Sequence, residues 1–473
     1  MHDQSAASPT VDLPRRLGFW SATAVIIGII IGSGIFKTPA SIAQAVDSVW
    51  VIMALWVAGG LVTLCLGLCM AELATLFPHS GGLYVYLREA YGPVVAFVFG
   101  WTFLLINPSV WSAIAIIFAQ YCGQFVPLSS SGQRGVATAL ILFVTVTNYF
   151  SVRLAVNIQN AATAAKSFAL AAIAGIVFVM SDGTGGAFTQ PTAMHWPALP
   201  ALTAAFLAVL FSYEGVAGSC SVFGEVRDPA RTLPRALIIS VVTVTLLYLL
   251  VNAAYLYVLP LATVASSELV AAQAMAAATG PAAAAIIAAC VMLSTFGAIS
   301  ATAIVDPRVF YAMARDGLFF QSIGTPHPRF ETPHVAVAIS GVLACCYVWM
   351  RSFEQLAAHF VLGLWPFYLL AVAGLMLLRS RRPAAVRPFR TPLYPLVPLV
   401  FIMAALGLLV ISFIELPETS LINLGIAALG VPAYLGWRRC APRPGIRATA
   451  DASATDALRL HPAEMPAQQQ QGE

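Results

Sequence analysis

The chain reads as a succession of long apolar runs broken by short polar stretches. About twelve runs reach the roughly 20 residues that a membrane-spanning helix needs. They lie near 19–46, 49–77, 92–119, 135–152, 157–180, 200–224, 234–260, 281–312, 335–350, 357–378, 395–414 and 419–438. They are too long and too uniformly apolar for membrane-barrel strands, which alternate over about ten residues. The pattern predicts an all-α integral membrane protein with about 12 transmembrane helices, forming one transmembrane domain over 18–440. A short polar leader covers 1–17. A tail over 441–473, rich in Ala, Pro and Gln, cannot bury a core and is expected to be disordered. The first run is too long for the apolar region of a signal peptide and no cleavage site follows it, so it is expected to stay in the mature chain.

Composition agrees with a lipid solvent. Of 473 residues, 59% are hydrophobic and 9% charged, against about 25% charged in soluble domains, and mean hydropathy is +0.84. A water-soluble multidomain enzyme, a disordered chain, a fibrous protein and a nucleic-acid binder are excluded. The net charge of +4 says little, but its distribution says more. With twelve spans and a cytoplasmic N-terminus, only Arg134 and Arg351 fall in outer loops, and Lys37 and Lys166 fall within spans. The remaining 20 of the 24 basic residues sit in inner loops and the C-terminal tail. That asymmetry follows the positive-inside rule and predicts a multi-pass protein of a bacterial-type inner (plasma) membrane with both termini cytoplasmic. The eight cysteines show no metal-binding spacing and read as small buried hydrophobes. No zinc-protease, phosphate-loop or nucleophile-turn motif is present. Neither enzyme chemistry nor a cofactor or metal is expected.

Two apolar runs are interrupted alike. The first contains Gly28, Gly32, Ser33 and Gly34; the sixth contains Phe211, Ser212, Tyr213, Glu214 and Gly215, then Gly218. Glycine weakens a helix interior by about 1 kcal/mol relative to Ala. Clustered glycines therefore suggest unwound stretches, although close packing through small residues accounts for them too. If runs six to ten repeat runs one to five in inverted orientation, the breaks match, which points to a midplane binding site. Unwinding at Ser33 and Gly34 would free N–H groups at a half-helix start, suited to a carboxylate. Unwinding in the sixth run would free the carbonyls of Phe211, Ser212 and Glu214, suited to an ammonium. An anion site facing a cation site describes an α-amino acid zwitterion.

Lys166 lies in an Ala-rich span without a charged neighbour in that span. A lysine at membrane depth is costly and usually functional, and one removed from water gives up its proton more readily. Glu72 and Glu225 read as gate or loop anchors. Glu214 has three readings: facing the substrate, pairing with Lys166, or pointing into the bundle. Asp306, before Pro307 and Arg308, reads as a helix-end contact.

Four blocks together resemble the amino acid–polyamine–organocation superfamily of permeases. They are Ile31 to Phe36; Ala71 to Leu73 with Phe77 to Gly92; Phe211 to Gly215 with Gly224 to Ala236; and Arg308 to Gly317. The resemblance implies a five-plus-five inverted repeat of the leucine-transporter type, with discontinuous helices 1 and 6 and two extra helices. It implies alternating-access transport of amino acids or related amines. The substrate carboxylate would meet Gly32, Ser33 and Gly34, and its amino group the carbonyls of Ile30, Phe211, Ser212 and Glu214. It also implies that Lys166 stands in for a sodium ion beside Gly28, with Ser300 and Thr302 as further neighbours. The chain departs from the family at Glu214, where neutral-substrate members often carry an apolar residue or Asp, and at Val216, where exchangers often carry Trp. The expected function is proton-coupled import of neutral amino acids, with amino acid, proton and lipid bilayer as partners. The alternatives are an exchanger taking cationic amino acids or polyamines, and a transport-inactive sensor on the same fold. Sequence gives no oligomeric state.

Overall fold

The computed structural model describes residues 17–79, 81–150, 152–189, 197–320, 323 and 334–440, with side chains except at 150, 152–165, 222, 225 and 440. Most of the leader (1–16), the tail over 441–473, Ser80, His327 and the side chain of Glu225 lie outside the described residues.

All twelve apolar runs fold as helices. The first becomes α1 (Phe19–Ile30) and α2 (Gly34–Ala45), and the second α3 (Val49–Leu76). At about 1.5 Å per residue, the 28 residues of α3 exceed a hydrocarbon core of about 30 Å. A short helix, α4 (Leu83–Tyr91), precedes the third run, which is α5 (Pro93–Ile106) and α6 (Pro108–Cys122) with a step at Asn107. Next come α7 (Ser130–Phe150) and α8 (Val152–Met180). The sixth run is α9 (Leu199–Ser212) and α10 (Val216–Ser219), continued by a 3-10 turn over Cys220–Glu225. Then follow α11 (Pro229–Val258), α12 (Leu261–Ser266) and α13 (Val270–Thr279). The eighth run is α14 (Pro281–Val305) and α15 (Pro307–Arg315), stepped at Asp306. The last four are α16 (His334–Met350), α17 (Phe353–Arg381), α18 (Leu396–Glu415) and α19 (Pro417–Cys440). Among the described residues, nine helical stretches are long and apolar enough to cross a membrane, and Lys166–Met180 and His334–Met350 are shorter apolar helices. The protein is a multi-pass helical membrane protein. Strand structure among the described residues is limited to one isolated bridge, Leu17 with Val226.

The broken helices are packed centrally. α1 lies against α11 and α8, α2 against α9, α3 against α11, and α8 against α14. Behind the breaks, Trp56, Tyr213 and Tyr248 pack ring against ring with centroids 5.3 to 5.9 Å apart. The outer surface is apolar, with Trp50, Leu246, Met403 and Leu421 exposed, as a lipid solvent requires. Toward the Arg-rich end, the buried Glu72 carboxylate accepts from Arg379 Nε (2.9 Å), Arg379 Nη2 (2.5 Å) and the Thr391 N–H (2.7 Å). Arg387 Nε lies 3.5 Å away. Glu72 thus ties α3 to α17 and to the loop after it. The helices α4, α12 and α13 fall between the apolar runs, where no period marked them.

Candidate functional site

The first break covers three residues. Ile31 N–H still reaches Ile27 O (2.8 Å) and Gly32 N–H turns tightly onto Ile30 O (2.7 Å); the ladder resumes only at Phe36 N–H, which reaches Ser33 O (3.2 Å). Between them, the N–H groups of Ser33, Gly34 and Ile35 have no acceptor among the described residues. These orphan donors at the start of α2 suit an anion, because unsatisfied N–H groups and the helix dipole both favour negative charge. Ser33 is buried and its hydroxyl is also unpartnered.

The second break sits against the first. Gly215 has φ +127°, and a Cβ there would fall 3.0 Å from both Ile29 C and Ile30 N. A Cβ at Gly34 would fall 2.6 Å from Ser212 Oγ and 2.7 Å from Ser212 Cα. Each break needs glycine so that the other can approach. Polar contacts then fasten the pair. Thr38 Oγ1 and Ser212 Oγ share a hydrogen bond of 2.7 Å. The buried Tyr248 hydroxyl lies between two carbonyls, one from each break: Ile30 O at 3.1 Å and Ser212 O at 3.0 Å.

A cavity of about 90 Å³ opens beside the breaks. Its wall includes Ile30, Gly32, Ser33, Gly34, Phe211, Ser212 and Glu214 together. Its wall also includes Asn107, Thr302, Asp306, Phe360 and Tyr368, and among the described residues no Lys, Arg or His lines the cavity. Glu214 accepts a hydrogen bond of 2.6 Å from the Tyr368 hydroxyl. Glu214 thus stands in the cavity wall, braced by Tyr368 of α17.

Lys166 is 1% exposed and donates from Nζ to Gly28 O at 2.5 Å. It thereby joins α8 to the last turn of α1 below the break, and no carboxylate pairs with it among the described residues. Ser300 and Thr302 are not its partners. Their hydroxyls return to their own helix, at Phe296 O (2.9 Å) and Ile299 O (2.9 Å), and Thr302 belongs to the cavity wall instead.

The sequence reading missed Tyr248, Tyr368 and Asn107, and it read Asp306 as a helix-end contact. Asp306 does occupy the position before α15, but its side chain makes no capping bond. Its Oδ2 instead accepts from Asn107 Nδ2 (2.5 Å) and Trp111 Nε1 (3.0 Å). The missed signal was the pair of polar–Pro steps, Asn107-Pro108 and Asp306-Pro307, inside two otherwise apolar runs.

A family model described as amino acid permease matches residues 17–430. The chain is 33% identical to b(0,+)-type amino acid transporter 1 of Mus musculus, over 86% of this chain and 84% of that protein. It is 32% identical to large neutral amino acids transporter small subunit 2 of Homo sapiens, over 90% and 80%. To the serine/threonine exchanger SteT of Bacillus subtilis (strain 168) it is 29% identical, over 90% and 98%.

Proposed function

Because this chain belongs to the amino acid permease family, we infer that it is a secondary transporter of amino acids working by alternating access in a plasma membrane, with both termini cytoplasmic. One observation carries the reading: two helix breaks meet at one cavity, one offering orphan N–H groups and the other carbonyls. The substrate carboxylate takes the N–H groups of Ser33 and Gly34. Its ammonium takes the carbonyls of the second break beside Glu214. The Ser212 carbonyl already accepts from Tyr248 but keeps a second lone pair to offer, whereas the Ile30 carbonyl accepts from both Tyr248 and the Gly32 N–H.

Transport then moves α1–α2, α3, α9–α10 and α11 as a body against the remaining helices. Tyr248 holds both breaks within that body. Among the buried bonds that leave it are Lys166 to Gly28 O and Tyr368 to Glu214. Lys166 is the proton-coupling group in this scheme, charged when it holds Gly28 O and neutral when it releases it. One charge moved across 100 mV is worth about 2.3 kcal/mol, enough for an accumulation of about fifty-fold.

A second reading, obligate exchange, is favoured by the similarity to SteT, which is named an exchanger. Lys166 would then be a fixed charge. Uptake of radiolabelled amino acids into proteoliposomes, without sodium and with or without an inward proton gradient, separates the two. Gradient-driven uptake in the wild type that is lost in Lys166→Ala, with substrate binding retained, supports coupling. Uptake that needs preloaded amino acid and ignores the gradient supports exchange. If no amino acid is carried under either condition, the transport reading fails.

A further inference from the structure

The stretch that joins α17 to α18 is basic, and it points apolar side chains outward. Arg379, Arg381, Arg382, Arg387 and Arg390 follow one another there with no Asp or Glu among them. Glu72 takes Arg379 and Arg387, and Arg382 reaches Glu89 at 3.3 Å. Arg381 keeps only a contact of 3.5 Å to Ala90 O, and Arg390 has no hydrogen-bond or ion-pair partner among the described residues. Both are exposed.

Leu393 stands just after Arg390. It is 73% exposed and has φ +49°, a left-handed conformation that is costly for a leucine. Packing inside the protein does not account for a strained leucine that points outward. Leu396, Leu399, Val400 and Met403 follow, all exposed. Their spacing of three and four residues puts them on one face of α18, and Leu393 lies one turn before that face. In a membrane protein such a face is covered by acyl chains. The loop is also held firmly from behind. The Thr391 N–H donates to Glu72 at 2.7 Å, and the Arg379 guanidinium lies 3.8 Å from the Tyr394 ring centroid.

We propose that this loop binds an anionic phospholipid, with Arg381 and Arg390 on the headgroup phosphate and Leu393 beside the acyl chains that cover α18. Basic side chains next to a spanning helix attract acidic headgroups, and a guanidinium can hold a phosphate through two N–H groups. Charge complementarity selects an acidic lipid over a zwitterionic one. The outward leucine, continuous with the lipid-facing side of α18, selects a bilayer over a soluble partner. The site lies outside the transport cavity and does not depend on what the cavity carries. Through Thr391 and Glu72 the bound lipid is tied to α3.

The test is binding of phosphatidylglycerol and of phosphatidylcholine to the purified full chain in neutral detergent, followed by native mass spectrometry over a lipid titration. The wild type is expected to bind phosphatidylglycerol at least about tenfold more tightly. Each basic residue near an acidic lipid surface is worth about fivefold in affinity. Arg381→Gln combined with Arg390→Gln is therefore expected to weaken phosphatidylglycerol about 25-fold and to leave phosphatidylcholine within about twofold. The control, Arg438→Gln combined with Arg439→Gln, removes the same charge at the end of α19, where the chain has returned to the side on which α18 begins. It is expected to keep phosphatidylglycerol within about threefold of wild type. Leu393→Asn, in which asparagine tolerates the left-handed backbone, is expected to weaken both lipids alike. Equal affinity of the wild type for the two lipids overturns the proposal. So does an equal loss in the two double variants, which would reduce the attraction to net charge, or a Leu393→Asn protein that binds both lipids as the wild type does. If the loop double variant does not fold, the wild-type lipid comparison and Leu393→Asn decide.

Discussion

Gly34 is the position where one methyl group tests the mutual fit of the two breaks. In Gly34→Ala the new Cβ would lie 2.7 Å from Ser212 Cα, whereas ordinary contact begins near 3.4 Å. The obstacle is backbone, so no side-chain rotation relieves it; one break must move by about 0.7 Å. Overpacking of this kind costs about 1–3 kcal/mol. Since the displaced groups are the N–H donors of α2, that cost falls on substrate binding as well as on stability, and each 1.4 kcal/mol is about tenfold in affinity. The expectation is a rise of between about five-fold and a hundred-fold in the dissociation constant, with a lower unfolding temperature. The control lies two residues away. A Cβ at Gly32 would meet only Ile30 O, at 3.9 Å, so Gly32→Ala is expected to bind within a few-fold of wild type. The assay is equilibrium binding of a carried amino acid to purified protein in detergent, alongside thermal unfolding with and without it. Equal losses in the two variants, or wild-type affinity in Gly34→Ala, would refute the close-approach reasoning.

Other consequences are as direct. Tyr248→Phe removes the one hydroxyl shared by Ile30 O and Ser212 O; loss of a buried partner costs about 1–3 kcal/mol, so the unfolding temperature should fall and substrate should restore less of it than in the wild type. Unchanged thermal stability would mean the clasp carries no weight. Glu72→Gln leaves Arg379 and the nearly buried Arg387 without their carboxylate, and breaking such a pair costs about 3–5 kcal/mol. Poor recovery and a marked drop in unfolding temperature are expected, and a fully stable Glu72→Gln protein would contradict this. Tyr368→Phe removes the bond that α17 makes to Glu214. It should change the rate of transport more than the affinity, measured as Vmax against KM in proteoliposomes, and a pure KM effect would argue that Tyr368 only shapes the cavity.

What was legible in the chain was whatever has a local cause. Each apolar run is a helix because twenty apolar residues in lipid have no other way to satisfy their backbone. The breaks were legible because glycines cluster in runs that otherwise favour helix, and Lys166 because one ammonium in an Ala-rich span is conspicuous. Its partner Gly28 came from the family resemblance and not from any local pattern. The residues missed have tertiary causes. Tyr248 lies in α11 with Tyr255 and Tyr257, and nothing nearby distinguishes the tyrosine that clasps two breaks from one that fills the core. Asn107 and Asp306 each precede a proline, but 199 positions separate them, and only packing brings one side chain to the other. The distinction reaches the mechanism. Local glycines make the amides and carbonyls available, whereas a hydroxyl from a third helix fixes their spacing. Since Tyr248 bonds both breaks at once, the proposed anion and cation subsites shift together when the body rocks. The substrate headgroup then keeps its contacts through the motion. In the proposed scheme, coupling acts at bonds that leave that body, among them those of Lys166 on α8 and Tyr368 on α17.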